Sequence, residues 1–192
     1  VTEDWYFMSH RLPMALEAQR AGYDVRVITQ VGSDGAAIEA LGFRLYPVVW
    51  RRGSVSPLAF LSSLLAVRRL YRAIAPDLVH HVGVQPSIVG SLAATGLACR
   101  RLNAMAGLGF TFTSATLKAK VMRPLLGALL RHVLRHPRAA VLVQNPDDRA
   151  AVSRLGVAPD KIFVIGGSGV ETDRLVPLPE PEGPVTAAFV GR

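Results

Sequence analysis

The run at 139–144, Ala-Ala-Val-Leu-Val-Gln, constrains the fold more than any other stretch of the 192 residues. Its first five residues are all apolar, and a strand without polar alternation is typical of a parallel sheet that is covered on both faces. Strand-like and helix-like segments also alternate near the start of the chain, with a strand at 24–29, a short helix at 35–41 and a strand at 43–48. Such alternation predicts an α/β fold in which crossover helices flank an open parallel sheet.

The remaining elements follow from periodicity and from helix boundary signals. Val1-Thr2 has the character of a strand end, 3–9 reads as a loop, and a helix follows with Pro13 in its first turn and Gly22 at its end. Further helices are expected at 57–75, from 86 to about 98, at 124–136 and from 145 to about 155. Further strands are expected at 77–82, 101–105 and 161–165.

Acidic residues are excluded from the middle of the chain. Lys and Arg number 22 against 14 Asp and Glu, a net charge of +8, and no Asp or Glu occurs between residues 78 and 145. This basic region favours an anionic partner: nucleic acid, anionic lipid or a phosphorylated small molecule. The single cysteine, Cys99, excludes an internal disulfide and favours a reducing compartment. No apolar run reaches the roughly 20 residues that span a bilayer, and the first residues lack a signal-peptide pattern.

Polar residues and glycines that follow the predicted strands form the candidate site, because ligands of open α/β sheets bind outside the carboxyl ends of the strands. These residues are Ser9, His10 and Arg11, then His80 and His81, then Asn103 with the loop at 106–114, then Gln144 and Asn145, and last 166–169. Glycines there would let the backbone approach a ligand closely. His80 and His81 alternate faces of a strand, so at most one faces a cleft, and packing alone would explain either.

Several kinds of chemistry have no matching motif. No pair of His, Cys, Asp or Glu has metal-ligand spacing, so no metal is expected. Neither Gly-x-Gly-x-x-Gly nor Gly-x-x-x-x-Gly-Lys-Ser/Thr occurs, and Gly-x-Ser-x-Gly is also absent. Arg131 and Arg135 share one face of a predicted helix and could be an ordinary solvated pair, although no acidic residue nearby in the sequence balances them.

Five segments, in chain order, carry a resemblance to a known family. They are 2–13, 76–81, 103–114, 144–148 and 167–171, followed by a proline-rich linker and Phe189-Val-Gly-Arg192. Together they are similar to the N-terminal half of a GT-B, family-4-type retaining glycosyltransferase. Within that family they most resemble bacterial enzymes that extend sugars on undecaprenyl diphosphate, including N-acetylgalactosaminyl transferases of glycan and capsule assembly.

The resemblance implies a Rossmann-like, doubly wound parallel sheet that forms one lobe of a GT-B fold. It implies an acceptor-binding domain at 1–176, a proline-rich linker at 177–184 and, at 185–192, the first strand of a truncated C-terminal domain. That second domain would bind the nucleotide sugar through residues beyond Arg192, so this fragment alone is expected to be inactive.

The implied enzyme is a hexosyl- or N-acetylhexosaminyl-transferase of polysaccharide biosynthesis, which transfers a sugar with retention from a nucleotide-diphosphate sugar to a lipid-diphosphate-linked saccharide, without a metal or other cofactor. The residues expected to bind the acceptor are Ser9, His10, Arg11, His81, Asn103, Gly107, Thr111, Gln144, Arg131 and Arg135. Those expected near the donor are Gly167, Ser168, Gly169 and Glu171. No catalytic residue is assigned, because in retaining enzymes of this fold the donor phosphate often takes the acceptor proton.

A lipid acceptor implies a cytoplasmic protein that is peripheral on the inner face of the bacterial inner membrane. A basic surface gains about 1 kcal/mol per Lys or Arg near anionic headgroups. The helices at 57–75 and 124–136, with Trp5, Tyr6 and Phe7, are the expected contact surface.

Two alternatives remain open. A non-catalytic domain that binds the acceptor or anionic lipid would have the same residues over this stretch. A nucleic-acid-binding module would explain the net charge, but a nucleic acid partner is not expected, because the basic residues share their helices with apolar faces and no recognition motif occurs.

Overall fold

The computed structural model describes residues 1–50, 56–105 and 117–167, together with 169, 172, 173, 175–179, 183, 184 and 187. Of 117–123 it describes the backbone only. The predicted loop at 106–114 lies outside the described residues, as does the predicted strand at 185–192 apart from Ala187. The domain boundaries therefore stay predictions.

Six strands are present in the described part of the chain, and every strand pairing is parallel. They are β1 (Arg26–Thr29), β2 (Arg44–Pro47), β3 (Leu78–Val82), β4 (Arg100–Met105), β5 (Ala139–Val143) and β6 (Ile162–Val164). One sheet pairs β1 with β2, and the other has the order β3-β4-β5-β6. The start of the chain joins β1 in parallel through a bridge between Glu3 and Gln30, which agrees with the predicted strand end at Val1-Thr2.

Crossover helices connect the strands. They are α1 (Asp4–His10), α2 (Leu12–Arg20), α3 (Gly35–Ala40), α4 (Pro57–Ile74), α5 (Val84–Ala93), α6 (Leu117–Leu134) and α7 (Pro146–Arg154), with a 3₁₀ turn at Pro159–Lys161. Two predicted N-caps are formed: Ser56 Oγ accepts from the Ala59 N–H at 3.5 Å, and Asn145 Oδ1 accepts from the Asp148 N–H at 2.7 Å. The predicted α/β fold with a doubly wound, Rossmann-like parallel sheet is confirmed.

The apolar core explains why the chain folds in this way. Leu130 and Leu134 on α6 pack against Val141 and Val143 on β5, and all four side chains are fully buried. Burying a side chain of this size stabilises the fold by about 1.5–3 kcal/mol. A second cluster brings Val48, which follows β2, together with Val79 on β3, so one core is shared by the two sheets.

The prediction of a loop at 3–9 is wrong, because α1 occupies Asp4–His10. The Asp4 carboxylate is buried and accepts hydrogen bonds from the N–H groups of Trp5 at 2.8 Å, Gly32 at 2.6 Å and Asp34 at 3.0 Å. These three bonds fix the start of the helix and lower the pKa of Asp4 against the opposing effect of its burial. Phe7 packs edge-on against Phe43 with ring centroids 5.4 Å apart, so this aromatic side chain belongs to the core.

Two helix boundaries also differ from the sequence prediction. Helix α6 begins at Leu117 and contains Pro124 in its interior, whereas the sequence predicted Pro124 at the start. Helix α5 begins at Val84 and ends at Ala93, short of the expected end at about 98. The turn after it, at 94–98, leaves space at the amino ends of the strands.

Candidate functional site

A cavity of about 230 Å³ opens at the carboxyl ends of β4, β5 and β6. The residues that line it come from the ends of these strands and from the junction between α1 and α2. They are His10, Arg11, Pro13, Met14, Ala104, Met105, Leu142, Gln144, Ile165 and Gly167. The structure therefore brings together four predicted site residues, His10, Arg11, Gln144 and Gly167.

Arg11 connects α1 to α2 and is the buried cation of this cavity. Its backbone N–H donates to Phe7 O at 2.9 Å and its carbonyl accepts from the Ala15 N–H at 3.0 Å, so both helices hold its backbone. The side chain is 7% exposed, with the guanidinium 5.9 Å from the ring centroid of Tyr6. Among the described residues, its Nε has no hydrogen-bond partner. A buried guanidinium in this state gains strongly from an anionic ligand.

His10 and Ser9 form the rim of the cavity. The His10 ring stacks on Tyr6 at a centroid distance of 4.5 Å, and its Nδ1 lies 2.6 Å from Ser9 Oγ. Both residues are exposed. This arrangement presents an imidazole and a hydroxyl to a ligand that enters beside Arg11.

His80 is the histidine that lies beside Arg11. Burial, and then the charge of Arg11, lower the pKa of His80 to about 4, so the imidazole is neutral at pH 7. Its buried Nε2 has no hydrogen-bond partner in the described part of the chain. The prediction named His81 instead, although strand alternation had indicated that one of the two histidines would face away from the cleft.

His81 and Asn103 do not line the cavity. They lie in the interior between α4, α5, β3 and β4, where His81 Nδ1 is 2.8 Å from Asn103 Oδ1. Tyr71 Oη lies 3.0 Å from His81 Nε2, and Ser91 Oγ donates to Asn103 Oδ1 at 3.1 Å. Since Asn103 Oδ1 accepts, Nδ1 of His81 carries the proton and Nε2 accepts from Tyr71. Burial lowers the pKa of His81 to about 3, so this network is neutral and its visible role is in packing.

The other predicted residues fall into two groups. Gly107, Thr111, Ser168 and Glu171 lie outside the described residues. Arg131 and Arg135 are exposed on α6, and Gly169, at φ +72°, follows the cavity-lining Gly167, at φ +95°; none of Arg131, Arg135 and Gly169 lines the cavity. Binding by any of the predicted residues stays a prediction.

No group of three or more His, Cys, Asp or Glu side chains within the described ranges could hold a metal ion. Likewise, none of the helices in the part of the chain that the structure describes is both long and apolar enough to cross a bilayer.

A parallel α/β lobe with its cavity at the carboxyl ends of the strands defines a Rossmann-like ligand-binding domain. The family model described as glycosyl transferase 4-like matches residues 1–139. The chain therefore belongs to the glycosyl transferase 4-like family and contains a glycosyltransferase-like domain of the GT-B type. A search of curated proteins gave no significant match.

Solved structures share the fold. A glycosyltransferase from Rickettsia africae ESF-5 is 15% identical with a TM-score of 0.59, over 86% of this chain and 41% of that one. A UDP-GlcNAc 2-epimerase from Methanocaldococcus jannaschii is 19% identical with a TM-score of 0.56, over 81% of this chain and 41% of that one. Another UDP-N-acetylglucosamine 2-epimerase is 18% identical with a TM-score of 0.58, over 81% and 43%. The chain thus spans about two-fifths of the length of these structures.

Proposed function

We propose that this chain is the acceptor-binding lobe of a retaining glycosyltransferase that uses a lipid-diphosphate-linked saccharide as acceptor, in bacterial surface-glycan or capsule synthesis. The observation that carries the proposal is Arg11, a buried guanidinium with a free Nε, in a cavity at the carboxyl ends of the strands of a glycosyl transferase 4-like domain. A diphosphate supplies the oxygen acceptors and the negative charge that such a group needs.

The size of the cavity bears on what it holds. Pockets that enclose a whole small molecule measure roughly 300–1,000 Å³, and this one is about 230 Å³. It therefore holds one part of the acceptor, the diphosphate beside Arg11, while the saccharide passes His10 and Gln144. Gly167, Ser168, Gly169 and Glu171 then face the donor.

In the proposed reaction an acceptor hydroxyl oxygen bonds to the anomeric carbon of the donor sugar. The bond from that carbon to the nucleotide diphosphate breaks, and the departing phosphate takes the hydroxyl proton. A second domain binds the nucleotide sugar, and no metal takes part. The transferred sugar is a hexose or an N-acetylhexosamine.

Helix α4 supports attachment to a membrane surface. Leu58, Leu61 and Leu65 lie on one face of its first half and are 79%, 48% and 56% exposed. Helix α4 ends at Ile74, shortly before β3 begins at Leu78, so its first half lies towards the carboxyl ends of the strands, where the cavity opens. A lipid-linked acceptor would reach the cavity from this side, with the protein peripheral on the inner face of the membrane.

The test is a transfer assay with the full-length protein, a panel of nucleotide sugars and polyprenyl-diphosphate saccharides as acceptors. We expect transfer, with Arg11→Gln raising the KM for the acceptor about tenfold or more, since a hydrogen bond to a charged group contributes about 1.5–3 kcal/mol. The KM for the donor should not change, and Arg20→Gln on the exposed side of α2 is the matched control. Absence of transfer to any diphosphate acceptor, or an unchanged acceptor KM in Arg11→Gln, would overturn the proposal.

A further inference from the structure

A second cavity, of about 520 Å³, lies at the opposite end of the sheet. It is lined by the turn after α5, the first part of β4 and the turn between α6 and β5. Its polar side chains are Arg101, His136 and Arg138. It shares no lining residue with the cavity that contains Arg11.

Arg101 is the buried cation of this second cavity. The side chain is 4% exposed, and one end of its guanidinium donates to Ala94 O at 2.9 Å through Nη2. Its Nε has no hydrogen-bond partner among the residues that the structure describes. An N–H group buried without a partner is unfavourable unless a ligand satisfies it.

Two further arginines converge on the same turn. Arg68 Nη1 donates to Ala93 O at 3.0 Å and to Thr95 O at 2.9 Å, while Arg138 Nη1 donates to Leu97 O at 3.4 Å. These bonds satisfy carbonyls at the end of α5, which is the ordinary role of basic residues at a helix C-terminus. The end of a helix carries only about half of one negative charge, so three guanidinium groups leave a clear positive excess.

No carboxylate balances this excess in the described part of the chain. The ion pairs found there join Arg20 to Glu17 and Arg26 to Asp24, far from this turn. His136 records the resulting field: burial and then the charges of Arg101, Arg138, His132 and Lys161 lower its pKa. These cations come from β4, from the turn before β5, from α6 and from the 3₁₀ turn, so four elements direct positive charge at one imidazole.

We propose that this second cavity is a binding site for a phosphate group, carried either by a soluble phosphorylated ligand or by a phospholipid headgroup. The free Nε of Arg101 and the remaining N–H groups of Arg138 supply the planar donors that suit phosphate oxygens. His136 contributes a third donor once the anion favours its protonated form. The site is independent of the proposed acceptor cavity, because it lies at the amino ends of the strands.

Inorganic phosphate is the first probe, with the full 192-residue chain and histidine NMR as the readout. We expect saturable shifts of the His136 resonances, assigned with His136→Gln, and a rise of the His136 pKa as phosphate binds. Arg138→Gln should weaken phosphate binding about tenfold or more. The matched control is Arg149→Gln, which removes one exposed arginine from α7 and should leave the affinity unchanged.

The source of the phosphate is resolved by a second set of ligands. Glycerol phosphate and vesicles of phosphatidylcholine with phosphatidylglycerol are added in parallel. A response of His136 to glycerol phosphate alone assigns the site to soluble ligands, and a response to both adds lipid headgroups. No response of His136 to any probe, vesicle binding that leaves His136 unchanged, or equal phosphate affinity in Arg138→Gln would overturn the proposal. Arg101→Lys keeps the charge but removes Nε, and it should also bind phosphate more weakly.

Discussion

Gly90 lies directly against the imidazole of His81, since a Cβ atom built on Gly90 would stand 2.3 Å from His81 Nε2. The imidazole has no freedom to move away, because Tyr71 and Asn103 hold its two nitrogens. Close approach of α5 to β3 therefore depends on a residue without a side chain at this position.

Gly90→Ala should destabilise the chain by about 1–3 kcal/mol, the usual cost of overpacking a filled core. Gly127→Ala is the matched control, since nothing lies within 4 Å of a Cβ at that helical position. That control should be neutral or stabilise by about 0.5–1 kcal/mol, as alanine favours a helix interior over glycine. Urea unfolding measures both, and equal midpoints for the two variants would contradict the packing described for His81.

The pH dependence of stability should follow from the buried histidines. The pKa of His81 is about 3 in the folded chain, whereas an unfolded histidine has a pKa near its ordinary value of 6.5. Between these two values the unfolded chain binds more protons, so the free energy of unfolding falls as the pH is lowered below about 6.5. For His81 alone the loss between pH 6.5 and 5 is about 2 kcal/mol.

His80 adds a second loss of the same sign, because its pKa is lowered to about 4. Urea midpoints measured from pH 7 to pH 5 test this, and His80→Gln should reduce the slope. His132→Gln, on the exposed side of α6, should leave the slope as it is. A free energy of unfolding that stays constant over this pH range would show that His80 and His81 are not buried as described.

Removing the charge of Arg11 should raise the pKa of His80 above about 4, because that charge is the second largest cause of the lowering. Burial remains, so the pKa should stay below the ordinary value of 6.5. Histidine NMR of Arg11→Gln measures the change, with Arg20→Gln as the control. An unchanged His80 pKa would separate the two side chains and weaken the description of the cavity.

Replacing the exposed leucines of α4 should weaken binding to vesicles. Inserting one leucine side chain into lipid contributes about 1.5–3 kcal/mol, so Leu61→Glu should lower vesicle affinity about tenfold or more. Leu41→Glu, at an exposed leucine beyond the end of α3, is the matched control. Flotation with anionic vesicles gives the readout, and equal flotation of both variants would exclude α4 as the contact surface.

The parallel sheet was predictable from local sequence because both faces of its strands are covered. The apolar run that became β5 has no polar residue to place on a solvent face, and a parallel arrangement is what such a run requires. Helix α1 was not predictable in the same way. Its start depends on the Asp4 carboxylate meeting the N–H groups of Gly32 and Asp34, which are distant in the sequence.

The candidate site was predictable to the extent that it depends on topology. The rule that ligands bind at the carboxyl ends of strands identified Arg11, Gln144 and Gly167, and all three line one cavity. The same rule could not distinguish His80 from His81, because the face of each residue depends on how α4 and α5 pack on β3. The cavity around Arg101 was not predicted, since the rule directs attention to the other end of the strands.

Strand β4 reaches both cavities, with Arg101 near its amino end and Met105 at its carboxyl end. A strand rises about 3.3 Å per residue, so the two Cα atoms are only about 13 Å apart. A mutational scan of β4 that records sugar transfer alone would therefore mix two effects, one on each side of the sheet. Substitutions in the loops, which belong to one cavity each, give the cleaner genetic dissection of this domain.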